Sequence, residues 1–208
     1  YYRLYPVAKY RDGREELVMS LGNLGSLLLS MGLPDKGEPY CRDALEMCEK
    51  LRPPSDYPNG HADIVRARTN LAMILDATGQ TRPAMTHGEQ ALEMSRRLYP
   101  ESMPLGGHPL IAICLYDLGL FAGKLGQFDN STTYFQDALA MRRAVYPTTK
   151  HPQSHPDIAL TLRELGTVRL ATGDRAAARS RDRGAAVERG ARRGAASTRT
   201  GAGDRVGG

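Results

Sequence analysis

The stretch His108 to Pro147, HPLIAICLYDLGLFAGKLGQFDNSTTYFQDALAMRRAVYP, reads as two amphipathic helices joined by a tight turn containing Gly126. Apolar residues keep helical spacing on both sides of the break, and glycine there takes the left-handed conformation that ends a helix. The landmarks of this stretch recur along the chain. His61, His108 and His155 stand 47 residues apart. Leu24-Gly25, Leu71-Ala72, Leu118-Gly119 and Leu165-Gly166 keep that step, as do Gly32, Gly79, Gly126 and Gly173. Ala44, Ala91, Ala138 and Ala185 form a fourth series, and Pro6, Pro53, Pro100 and Pro147 a fifth. Five markers in one phase define an array of helix-turn-helix repeats, so function is to be sought in the array before any single residue.

The phase sets the organisation. Residues 1–13 read as the end of a preceding repeat and a linker, because YYRLYP matches RRLYP at 96–100 and RRAVYP at 142–147. Repeat 1 is then 14–60, repeat 2 is 61–107, repeat 3 is 108–154, and 155–179 supplies the first helix and turn of a fourth. The expected helices are 14–31 and 36–51, 62–78 and 82–98, and 109–125 and 129–145, the first pair joined by Gly32-Leu33-Pro34-Asp35. Pro109 and Pro156 fall in a first helical turn, where no backbone donor is needed. Asp63 and Asp157 place negative charge at the positive end of a helix. Beyond Arg179 the period stops. Residues 180–208 are an Arg/Gly/Ala-rich segment with too little apolar surface to order itself. Two origins stay open for it, a natural disordered terminus and an out-of-frame translation of a GC-rich gene.

Charge argues against nucleic acid as a partner. The net charge is +5, but residues 174–208 hold nine Arg against four acids, so the remainder is neutral. Cys41, Cys48 and Cys114 do not form a disulfide framework. Cys41 and Cys48 are seven residues apart on one expected helix, about 10.5 Å, and a bridge needs Cα atoms within about 7 Å. Free, core-like thiols fit a reducing, cytoplasmic setting. No signal peptide and no apolar run near 18 residues is present, so no membrane association is expected.

The periodic histidines tempt a metal reading, but equivalent residues of stacked repeats lie about one helix diameter, ~10 Å, apart, too far to share a zinc with bonds of about 2.0–2.1 Å. They read as helix-start residues. Met47, Met94 and Met141 recur in phase and read as packing. No G-x-S-x-G or phosphate-loop motif is present, and Cys114 reads as core. No catalytic set, metal site or cofactor is expected, and the sequence carries no signal for oligomeric state.

A 47-residue period also suits HEAT-type pairs, so the internal spacing decides. Small residues follow the Leu-Gly pair at fixed offsets: Ser131 and Ala138 after Gly119, Gly37 and Ala44 after Gly25, Ala84 and Ala91 after Ala72. This resembles the tetratricopeptide repeat, and the longer second helix with HPDIALTLRELG and YFQDALAMRRAVYP is similar to kinesin light chain-type repeats. The proline-rich linkers followed by G-H-P-D wording also look like arrays in large bacterial proteins that carry a caspase-like CHAT peptidase domain. The resemblance covers about 1–173 and implies an all-α fold, antiparallel helix pairs stacked as a right-handed α-solenoid.

In such arrays the first helix of each pair lines a concave groove. The residue before the Leu-Gly pair is by resemblance a groove position where Asn holds a peptide backbone; here it is Asn23, Asn70, Asp117 and Glu164. The acids at the last two depart from the family pattern. Arg66, Thr69, Asp76, Tyr116, Lys124 and Arg163 complete the expected face. The expected function is a non-catalytic protein–protein interaction scaffold that binds a polar peptide or partner domain. The alternative is the regulatory arm of a larger multidomain enzyme, such as a CHAT-type peptidase.

Overall fold

A computed structural model describes residues 15–100, 107–147, 149 and 155–173. Six helices follow one another: α1 (Glu15–Ser30), α2 (Pro34–Leu51), α3 (Ala62–Ala77), α4 (Thr81–Leu98), α5 (Pro109–Lys124) and α6 (Phe128–Val145). A further helical run covers 156–173, and the described residues contain no strand. The expected end of a preceding repeat at 1–13 and the 180–208 tail lie outside the described residues.

Gly32, Gly79 and Gly126 end α1, α3 and α5 with φ of +72°, +83° and +75°. The residue after each glycine closes the turn, Leu33 donating to the Leu28 carbonyl at 2.9 Å, Gln80 to Leu75 at 2.7 Å and Gln127 to Ala122 at 2.9 Å. These bonds satisfy carbonyls that a helix end otherwise leaves bare. A side chain at any of the three would meet no neighbour, so it is backbone conformation that calls for glycine. The first turn is shorter than the sequence suggested. Pro34 and Asp35 belong to α2, because proline in a first turn lacks only a donor that has no helical partner.

Within each pair the helices approach over small residues. Gly25 faces Gly37 and Gly119 faces Ser131, Ala72 and Ala84 are fully buried at the same positions, and Ala44, Ala91 and Ala138 are buried one layer on. The Ser131 hydroxyl donates to the Gly119 carbonyl at 2.7 Å, and the Phe135 ring lies directly over Gly119. Between pairs, Ile74 packs on Gly25 and Gly37 of the repeat before it, and Leu118 and Phe121 pack on Gly88. The α1 equivalents of those residues, Leu24 and Leu27, are 38% and 56% exposed. The face of α1 that an earlier helix pair would cover is therefore bare among the described residues.

The contacts set the curvature. α1 touches α3 and α3 touches α5, whereas α2 and α4, and α4 and α6, do not meet. First helices crowd together and second helices splay, so α1, α3 and α5 line the inner face.

The linkers are tied down by the periodic histidines. His61, His108 and His155 each precede a helix, and each Nδ1 accepts from the backbone N–H two residues on, at 3.2, 3.2 and 3.3 Å. A ring nitrogen thus does the capping usually given to Ser or Asp. His108 stacks on Tyr99 (centroids 3.4 Å, 7°) and His155 on Tyr146 (3.7 Å, 2°). In the first repeat the tyrosine position holds Arg52, and the partner of His61 is Tyr57 of the linker, edge-on at 5.3 Å. The buried Arg52 instead joins helices by donating to Glu15 at 3.1 Å and Asp63 at 2.6 Å. Met94 packs on Gly60 and Met141 on Gly107, which explains the phase of the methionines.

Candidate functional site

The inner face divides into two sections, and the residues expected in one groove serve different purposes in each. Between α1 and α3 lies a cleft of about 280 Å³, lined by Val18, Met19, Gly22, Asn23, Ala44, Asp63, Arg66, Ala67 and Asn70. Three expected groove residues, Asn23, Arg66 and Asn70, meet here. Asn23 and Arg66 are exposed and Asn70 is half-buried. Arg66 is drawn to Asp63 at 3.0 Å with most of its side chain in solvent. The cleft thus offers two amides and a guanidinium beside the apolar Met19, 66% exposed. Met19 was not anticipated as a groove residue. It stands one period before Arg66, which is the signal that could have found it.

Thr69 does not reach the surface of this face. It is buried, its hydroxyl donating to the Arg66 carbonyl at 2.9 Å, so it is spent inside α3. A larger cleft of about 630 Å³, between α4 and the α5–α6 pair, borders the linker that begins at Pro100 and gathers none of the expected residues.

Between α3 and α5 the face is built of charge. Asp76, buried, accepts from exposed Lys124 at 2.6 Å and from the Thr81 hydroxyl at 3.0 Å. Two expected groove residues therefore bridge successive repeats. Tyr116 is half-buried, tilted against Phe135 at 5.6 Å, with the Arg142 guanidinium 4.5 Å from its ring centroid. Burial raises its hydroxyl pKa, and Glu164 adds to the rise. On the last helical run Arg163 and Glu164 pair with each other at 2.6 Å.

Arg142 was also not anticipated. It occupies the second-helix core position held by Cys48 and Ser95 in earlier repeats, and it is buried there as a cation. Its guanidinium donates to the Asp157 carbonyl at 2.6 Å and to the Thr161 hydroxyl. A cation at a period position otherwise held by small residues is the sequence signal for it.

Asp117 is only 6% exposed. Burial raises its carboxyl pKa from 3.8 to about 7; Arg142 works against the rise and Asp76 with it. The three cysteines are free and buried, and burial lifts their thiols to about 11 for Cys41 and Cys48 and about 12 for Cys114. Such thiols are poor nucleophiles and poor metal ligands. No group of three or more His, Cys, Asp or Glu among the described residues is arranged to hold a metal.

Comparison with known proteins fits this geometry. Models of the tetratricopeptide repeat match residues 16–97 and 111–157, together more than half of the chain. The chain belongs to the tetratricopeptide repeat family, and its fold is an all-α solenoid of that type. Solved structures with the same fold include a Podosopora anserina kinesin light chain-type protein of nearly identical TPR-like repeats. That structure is 17% identical over 77% of this chain and 70% of its own, with a TM-score of 0.62. BtubC (BKLC) from P. vanneervenii is 23% identical over 92% of this chain and 66% of its own, at 0.61. The apo form of RapI is 18% identical over 83% of this chain, also at 0.61, and the chain spans 56% of it. No curated protein sequence matches. None of the helices is long and apolar enough to cross a membrane among the described residues.

Proposed function

We propose that this chain is a non-catalytic protein–protein interaction scaffold that holds a polar, extended segment of its partner along the inner face of α1, α3 and α5. Tetratricopeptide arrays present extended concave surfaces suited to partner binding. The observation that carries the reading is the α1–α3 cleft, where Asn23, Arg66 and Asn70 converge beside Met19. Side-chain amides donate to and accept from a peptide backbone at once, and Arg66 suits a partner carboxylate. The neutral charge of residues 1–173 favours a protein partner over nucleic acid. Three buried free thiols fit a partner met in the cytoplasm. The test is capture of partner peptides by wild type and by Arg66→Ala plus Asn70→Ala. Binding should fall about tenfold or more, on the loss of two or three hydrogen bonds; undiminished binding would remove this site.

A further inference from the structure

We infer that the α3–α5 section of the inner face takes a basic side chain of the bound partner, a lysine ammonium or an arginine guanidinium, against the Asp117 carboxylate. The inference rests on the groove reading above and adds the chemistry of one subsite. Asp63, Asp76 and Glu164 each have a cation of their own. Asp63 is held by Arg52 at 2.6 Å and Arg66 at 3.0 Å, Asp76 by Lys124 at 2.6 Å, and Glu164 by Arg163 at 2.6 Å. Asp117 accepts no hydrogen bond and enters no ion pair among the described residues, although it is more than nine-tenths buried. The cation that acts on it, Arg142, is committed elsewhere: to the Asp157 carbonyl, the Thr161 hydroxyl and the Tyr116 ring.

A carboxylate without a hydrogen-bonded partner is costly to bury, and a fold that needed only a polar group here had a cheaper choice. The equivalent positions carry Asn23 and Asn70, neutral amides that line the neighbouring cleft. The carboxylate is not sealed away. The unsatisfied atoms closed off from solvent among the described residues are Arg68 Nε and His87 Nδ1, and neither oxygen of Asp117 is with them. A poorly hydrated but reachable carboxylate is a setting in which a charge-assisted hydrogen bond to an incoming cation gains most. Asp76, at the same α3–α5 seam, adds a second negative charge that Lys124 balances. What the section lacks is a hydrogen-bond donor to the Asp117 carboxylate.

The experiment selects a random dodecapeptide library on the intact chain. Enriched peptides are resynthesised with each Lys or Arg replaced by norleucine, and affinities are measured for wild type, Asp117→Asn, and Arg66→Ala plus Asn70→Ala. The expected result is a shared basic position whose replacement weakens binding about tenfold or more in wild type and by less than about twofold in Asp117→Asn, whose melting temperature confirms that it is folded. Peptides without a shared basic position, or with the same norleucine loss in both proteins, would overturn the subsite. If those peptides still lose affinity in the Arg66/Asn70 variant, the groove stands and the Asp117 proposal alone fails. Peptides indifferent to that variant, or no enrichment at all, would sink both.

Discussion

Replacing Asp117 by Asn should stabilise the protein, and the gain should depend on pH in a defined way. Asn keeps the shape of a protonated Asp and removes a charge that the site disfavours. The carboxyl is raised from 3.8 to about 7, chiefly by burial. For an acid whose folded-state pKa is raised, the folded state holds its proton where the unfolded state has released it. Stability is therefore withdrawn as pH climbs from about 4 to about 7 and stays withdrawn above. At about 1.4 kcal/mol per pH unit, a rise of about three units amounts to about 4 kcal/mol at pH 8. Urea unfolding of wild type and Asp117→Asn at pH 5, 6, 7 and 8 measures it, and the difference between the two proteins isolates the one substituted group. The advantage of Asn should be about 1–2 kcal/mol at pH 5 and about 4 kcal/mol at pH 8. A difference that does not change with pH, or an Asn variant less stable throughout, would refute the assignment of Asp117 as a buried carboxylate lacking a bonded cation.

Three further outcomes are expected. The His108 pKa is lowered by burial and then by Arg66, so the folded state binds its proton less readily than the unfolded state. Its contribution is present above the ordinary histidine range and erodes as pH falls through about 6.5. His108→Asn, which keeps a capping acceptor, should flatten that part of the stability profile, whereas His108→Ala should cost about 1–2 kcal/mol at pH 7 by urea unfolding. Gly119→Leu sets a side chain where a Cβ already falls 2.7 Å from the Phe135 ring; overpacking of about 1–3 kcal/mol should appear as a lower melting temperature. Cys41, Cys48 and Cys114 should resist a thiol reagent at pH 8 in the native protein and react together once urea unfolds it, because burial holds their thiols at about 11 to 12.

The fold was legible because each repeat states the same physical requirements. A glycine ends α1, α3 and α5, and small residues mark the close approach within each pair. Helix bounds follow from these to within about two residues, as at α5, expected at 109–125 and found at Pro109–Lys124. The candidate site was legible only in part, because periodicity says which face a residue occupies and not what it bonds. Asp76 and Lys124 lie on the expected face yet hold each other, an ion pair between residues 48 apart that no local spacing shows. Thr69 has the right phase but turns its hydroxyl into its own helix. The tyrosine partners of the histidines lie across linkers, so the role of YP emerged only with the fold.

The central claim, that the inner face of the first helices receives the partner, is tested most directly by photo-cross-linking. A benzophenone amino acid is placed at exposed Asn23 on α1, and in a second protein at exposed Gln136 on α6, each folded by its melting curve. Irradiation with a selected peptide should join it to the position 23 protein and leave the position 136 protein unmodified. Cross-linking at 136 with none at 23 would contradict the account.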